Sequence, residues 1–285
     1  MSYQIITDSC CDLTQAQLEN LQVTCANLTL LYKGENHSNF SDPAAVKVFY
    51  DELRSGTMAT TAAVNPDGWA ELMIPALKEG RDVLILAFSS GLSTTYQSAV
   101  IAAKELQEEY PERKILVVDT LCAALGQGLL VYLACRKRDA GMPMVELATW
   151  VEANKLNVCH WVTVDDLSHL KRGGRISATT ALVGTMLNVK PIIHVDNDGH
   201  LINCAKVRGR KAAMEYLTKK FSETCTDFDT VFIAHGDCPE DAAALEAMIQ
   251  EKHPVKEVIT GYVGPVIGAH TGPGVLVLFF MGSQR

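Results

Sequence analysis

The chain has 285 residues, 48% hydrophobic and 20% charged, with 10 prolines; that length fits two domains or one large α/β unit, and the composition excludes a disordered, collagenous or low-complexity chain. The formal net charge of -8, from 25 Lys+Arg against 33 Asp+Glu, argues against broad capture of nucleic acid or of an anionic membrane surface. Nine cysteines, an odd number without the dense spacing of a secreted disulfide framework, fit reduced thiols in the cytoplasm.

Met1–Gln4 runs directly into an apolar stretch, without the basic and long apolar regions of a signal peptide. Tyr3–Thr7 reads as a strand ending in Asp8-Ser9, and Thr14 with Gln17 makes a capping box that opens a helix to about Leu21. Asn65-Pro66 supplies an N-cap and first-turn proline for a helix through Lys78, and Val83–Phe88 is a strand ending in Ser89-Ser90-Gly91-Leu92-Ser93. Thr94 and Gln97 are the expected cap of the next helix. Ile115–Val118 is a third strand, ending in Asp119-Thr120 before the apolar segment Leu121–Arg136, which is too interrupted by Gly and Gln to cross a bilayer. This alternation of β-branched runs and helical segments is the pattern of βαβ units with a parallel sheet.

After a helix over Met144–Leu156 the rhythm changes, so the expected boundary is near residue 157, giving domains 1–156 and 157–285. Val158–Val164 reads as a strand and Ala178–Leu187 as an apolar helical stretch. Asn197-Asp198-Gly199 is the turn of a hairpin between Lys190–Val195 and Leu201–Ala205. Lys211–Cys225 and Pro239–Lys252 are expected helices, and Thr230–His235, Glu257–Gly261 and Val275–Phe280 expected strands. Gly264–Gly274 is too glycine-rich for a regular element.

Ligands of open α/β sheets collect at the carboxyl ends of strands, which selects the loops at Asp8-Ser9, Ser89–Ser93 and Asp119-Thr120. Ser93 precedes a helix, where backbone donors and the helix dipole favour an anion, although serines in such loops also serve as plain turn and cap residues. Thr60-Thr61 offers two hydroxyls on a loop, and His270 is one imidazole among small residues. Two basic groups, Lys171–Arg175 and Lys206–Lys211, are either solvated turns or contacts for an acidic partner or a phosphate. The chain has no Gly-x-Ser-x-Gly elbow, no metal-ligand spacing and no phosphate loop; no cofactor is expected. A hydrolase using Ser93 and His270 stands as the alternative to a binding protein.

The ordered set of Ile6-Thr7-Asp8-Ser9, Ser89–Ser93 with Tyr96-Gln97-Ser98-Ala99, Asp119-Thr120 with Gly126-Gln127-Gly128, Leu167 with Leu170–Ser177, Lys190-Pro191-Ile192, Asp198-Gly199 and Gly268–Gly274 resembles the DegV family. These are bacterial fatty-acid-binding proteins that include the carrier subunit of fatty acid kinase. The resemblance implies two α/β domains, the first with a mainly parallel sheet, and a tunnel between and within them for a long-chain fatty acid. It implies a carboxylate site of Thr60, Thr61, Ser93, Arg175 and His270, with Ala178–Leu187 lining the tail. It also implies a non-catalytic carrier that presents the carboxyl group to a separate ATP-dependent kinase subunit, forming acyl-phosphate, with Arg208 at the kinase contact and transient membrane contact. The family's Thr-Ser-Gln-Pro loop is here Thr60-Thr61-Ala62-Ala63, and the glycine after its helix-leading serine is Thr94.

Overall fold

A computed structural model describes residues 3–165, 167–176 and 188–285; the expected helical stretch Ala178–Leu187 lies outside the described residues. In chain order the elements begin with β1 (Tyr3–Asp8), a 3-10 turn at Ser9–Cys11, α1 (Gln15–Asn20), β2 (Val23–Ala26), β3 (Thr29–Tyr32), β4 (Glu35–Ser38), α2 (Pro43–Arg54), β5 (Ala59–Ala62) and α3 (Pro66–Lys78). They continue with β6 (Asp82–Ala87), α4 (Thr95–Glu109), β7 (Ile115–Asp119), α5 (Ala124–Asp139), α6 (Met144–Asn154), β8 (Val158–Thr163) and α7 (Ser168–Arg172). The remainder is β9 (Val189–Val195), β10 (Leu201–Arg208), α8 (Arg210–Thr224), β11 (Thr230–His235), α9 (Pro239–Lys252), β12 (Glu257–Tyr262), α10 (Pro265–Thr271) and β13 (Leu276–Met281).

The first sheet is four-stranded and parallel, in the order β2-β1-β6-β7. Both its faces are covered, so its strands read as continuous apolar runs. Ile6, Val83, Ile85 and Ala87 meet α3 and α4 on one face, and Ile5, Leu84, Leu86 and Val118 meet α5 and α6 on the other. The second sheet, β10-β9-β8-β13-β11-β12, is mixed. One of its faces packs on α8 and α9 through residues such as Ile233, Leu278 and Phe280. Its other face, with Val162, Phe232, Val277 and Phe279, joins the same core as α5. That helix is therefore sandwiched between two sheets, which accounts for the unusually apolar Leu121–Arg136 segment without any membrane. Among the described residues no helix is long and apolar enough to cross one.

Close packing of α5 explains its Gly126-Gln127-Gly128 sequence. A Cβ on Gly126 would lie 2.2 Å from His160 Nε2, and one on Gly128 would lie 2.6 Å from the Cys11 carbonyl oxygen. The two glycines let the helix approach the second sheet and the Ser9–Cys11 turn at once.

Three features depart from expectation. A small antiparallel sheet, β4-β3-β5, and helix α2 occupy the stretch between β2 and α3, where strands of only four residues and the polar Glu35–Ser38 carry no clear alternation. The Gly264–Gly274 stretch contains a regular helix, α10, opened by Pro265. Its Gly268 serves packing rather than a loop, since a Cβ there would lie 2.6 Å from Tyr50 Oη. Finally, Thr94 makes no side-chain cap on α4; Ser93 Oγ accepts the Thr95 N–H at 3.2 Å instead.

Candidate functional site

Between the sheets, beside the N-terminal end of α5, lies a cavity of about 470 Å³, within the range of roughly 300–1,000 Å³ usual for small-molecule sites. Strand alternation builds its floor from the second sheet. Successive inward residues on β8 are His160 and Val162, on β13 Val277 and Phe279, and on β9 Ile193 and Val195. Phe88, Ala123 and Leu28 close it from the first-sheet side. The polar side chains gather at one end, where Thr61, Ser93, Arg175 and His270 converge from β5, the Ser89–Ser93 loop, the segment after α7, and α10.

Thr61 and His270 are in direct contact, with Thr61 Oγ1 and His270 Nε2 2.7 Å apart. Nδ1 of the same ring is buried without a hydrogen-bond partner and faces Gly173, where a Cβ would lie 2.3 Å away. A buried lone pair without a partner costs less than a buried N–H without one. We therefore assign the proton to Nε2, which donates to Thr61 Oγ1 and leaves the threonine O–H free to donate into the cavity. Burial, reinforced by the nearby Arg175 charge, pushes the His270 pKa down from 6.5 to about 4, so the ring is neutral at pH 7.

Arg175 supplies the positive charge at this end. Its Nε donates to the Leu92 carbonyl at 3.2 Å and a second nitrogen donates to the Gly173 carbonyl, so backbone oxygens hold it without neutralising it. Ser93 Oγ lies 2.8 Å from Thr95 Oγ1 and completes the polar end. A cation, two hydroxyls and an imidazole at one end of an apolar cavity can receive one anionic group attached to a long apolar body.

Not every expected site residue joins this cluster. Thr60 is exposed on the opposite face of β5: it pairs across the sheet with the outward Leu31, whereas Thr61 pairs with the buried Leu30. Period-two alternation thus turns Thr60 away from the cavity, and both threonines sit on a strand rather than a loop. Ser89 donates to the Gly199 carbonyl at 2.9 Å and ties the loop to the β9–β10 turn. Asp119 accepts from the Ser90 and Leu121 N–H groups, a structural role. Arg208 lies at the exposed end of β10, outside the cavity, on the same outward face as Lys206, whereas Arg210 is paired with Asp241 at 2.8 Å.

The sequence reading missed His160, a polar group in the cavity wall. Its Nε2 accepts from the Ala123 N–H at 3.2 Å and its Nδ1 donates to the Val158 carbonyl at 2.9 Å; with both nitrogens spent on backbone and its pKa held well below the ordinary value by burial, it acts as a neutral wall. The available signal was a single histidine inside the apolar strand Val158–Val164.

The hydrolase alternative finds no support in this geometry. Ser93 Oγ is engaged with Thr95 and His270 Nε2 with Thr61, and no described carboxylate orients the imidazole. An imidazole with so low a pKa is also a poor general base.

Comparison with known proteins adds four observations. A family model described as "Uncharacterised protein, DegV family" matches residues 2–282. A DegV domain-containing protein of Clostridium perfringens is 43% identical over 286 residues, covering 99% of this chain and 98% of its own. Among solved structures, a DegV lipid-binding protein from Thermotoga maritima superposes with a TM-score of 0.87 at 26% identity over 100% of both chains. A DegV family protein from Thermus thermophilus, described by its fatty acid binding, does so with a TM-score of 0.86 at 28% identity, over 98% of this chain and 99% of that one.

Proposed function

The chain belongs to the DegV family, and from that premise we propose that it is a fatty-acid carrier. The carboxylate is held at Thr61, Ser93 and Arg175, with His270 orienting the Thr61 hydroxyl toward it, and the acyl chain runs toward His160. The observation that carries this reading is the polarity of the cavity, with apolar walls and one cationic, hydroxyl-rich end. The fatty-acid and lipid binding of the two structurally similar proteins supports the same ligand class.

The role is binding rather than catalysis. The protein works in the cytoplasm, and the bound fatty acid is phosphorylated on its carboxyl group by a separate ATP-dependent kinase subunit, giving acyl-phosphate that the carrier delivers after transient membrane contact. Lys206 and Arg208, exposed together on β10 and outside the cavity, form the kinase contact.

Native mass spectrometry of the purified protein tests the ligand: a mass shift of one fatty acid, or stoichiometric uptake of added palmitate, is expected. Protein that carries no lipid and takes up none overturns the reading. For the kinase contact, Arg208→Ala should keep palmitate affinity and slow phosphorylation in the reconstituted system, with a weaker salt dependence than wild type. Phosphorylation at the wild-type rate across ionic strengths removes Arg208 from the interface.

A further inference from the structure

Helix α10 carries His270 but begins without a cap of its own. Gly264 is its N-cap and has no side chain, and Pro265 follows it without an N–H. The next donor, the Val266 N–H, is taken by Asn39 Oδ1 at 3.3 Å from the loop between β4 and α2. Asn39 is itself fixed, because its Nδ2 donates to the Ser9 carbonyl at 3.1 Å. Ser9 in turn accepts the Leu28 N–H on its Oγ at 3.0 Å. Leu28 and Val266, at the two ends of this chain of bonds, line the cavity; Ser9 and Asn39 do not.

The approach is close. A Cβ on Gly264 would lie 2.5 Å from Asp12 Oδ1 and 3.1 Å from Asn39 Nδ2, so the helix end is pressed against both side chains. The Asp12 carboxyl is buried against the Gly264 backbone at the same helix end, and burial pushes its pKa well above the usual carboxylate range. The Asp8-Ser9 loop stands at a strand's carboxyl end and touches no ligand cavity of the head group. Its serine acts instead through Asn39.

We propose that Asn39, held by Ser9, is a positioning residue: it caps α10 from outside the helix and thereby holds His270 against Thr61. The inference rests on the head-group role of His270 for its effect on lipid, but the placement of the ring is testable without lipid. Among the described residues, Arg175 is the charged group beside that ring and Thr61 bonds to it from β5; His169 of α7 stands against the neighbouring Gly272, and the Tyr50 hydroxyl of α2 against Gly268.

The test compares wild type, Asn39→Ala and, as a control, Asn36→Ala on the exposed part of β4. Lipid-free protein is titrated by NMR on the His270 ring, and palmitate affinity is measured by calorimetry. In wild type the ring protonates near pH 4. In Asn39→Ala, the loosened helix admits water and the midpoint should rise by at least about half a unit, with palmitate affinity about tenfold weaker through loss of the Thr61–His270 geometry. Asn36→Ala should match wild type. Asn39→Ser, too short to span both partners, repeats the measurement should the alanine variant not fold. A wild-type His270 midpoint in a folded Asn39 variant overturns the proposal. A raised midpoint with unchanged palmitate affinity upholds the positioning and overturns the head-group role of His270.

Discussion

Gly173→Ala should weaken fatty-acid binding without straining the backbone. Gly173 has φ -72°, which any residue adopts, so the only obstacle is space: the new Cβ would stand 2.3 Å from His270 Nδ1 and 3.3 Å from its Cγ. Ordinary contact needs about 3.5 Å or more, so the ring has to recoil by about 1 Å. The two ring nitrogens point to nearly opposite sides, so straight retreat from the Cβ would press Nε2 into Thr61, and the ring has to swing out of the gap instead. A contact that begins at 2.7 Å then exceeds hydrogen-bonding distance. Losing one hydrogen bond in a network that holds a charged ligand costs about 1.5–3 kcal/mol, or roughly ten- to hundredfold in Kd. Calorimetric titration with palmitate measures this directly. Gly174→Ala is the matched control: Gly174 has φ +70° with nothing within 4 Å of a built Cβ. There the alanine strains the backbone and lowers the melting temperature by a few degrees while leaving affinity alone. A Gly173→Ala protein that binds palmitate within about twofold of wild type would refute the steric reasoning and the Thr61–His270 pairing with it.

The two threonines should separate cleanly: Thr61→Val loses about tenfold or more in palmitate affinity, whereas Thr60→Val, on the exposed face of β5, changes nothing. Equal losses in both variants would contradict the strand register. His270 also predicts a pH dependence. Its pKa falls from 6.5 to about 4 on folding, so the unfolded chain binds the extra proton first; the contribution is complete above pH 6.5 and is lost as pH falls from there toward 4. The amount is roughly 3 kcal/mol at about 1.4 kcal/mol per unit. Denaturant unfolding of wild type and His270→Gln at pH 7 and pH 4.5 should reveal a shallower loss in the variant, and parallel losses would argue that the ring is not buried neutral.

Much of this molecule is legible in its sequence, and the boundary of legibility has physical causes. The parallel strands β1, β6 and β7 announced themselves as short β-branched runs, and β6, buried on both faces, is apolar from Val83 to Ala87. The β9–β10 hairpin did so through Asp198-Gly199, whose glycine adopts φ +79°. The β3–β5 sheet did not, because four-residue strands with one wet face carry too few alternations to register. At the site, the residue types were readable and their directions were not. Thr60 and Thr61 are chemically identical, and only pairing with Leu31 and Leu30 decides which one faces the ligand. His270 was conspicuous, but its helix was hidden by Gly268, a glycine required by Tyr50 more than two hundred residues earlier in the chain.

The sandwiching of α5 has a consequence for what the cavity's occupant is to the protein. A helix with its side chains is about 10–12 Å across, so α5 acts as a spacer that sets the gap between the two sheets. The cavity lies in that same gap, just where the spacer begins at Ala123 and Ala124. An acyl chain lying there continues the middle layer in another material, touching the same sheet faces that α5 touches. It is then interior filling as much as cargo, and handing it over means dismantling part of the core. Affinity and fold stability are therefore one quantity read in two ways, and each tenfold of lipid concentration above Kd should add about 1.4 kcal/mol to the unfolding free energy.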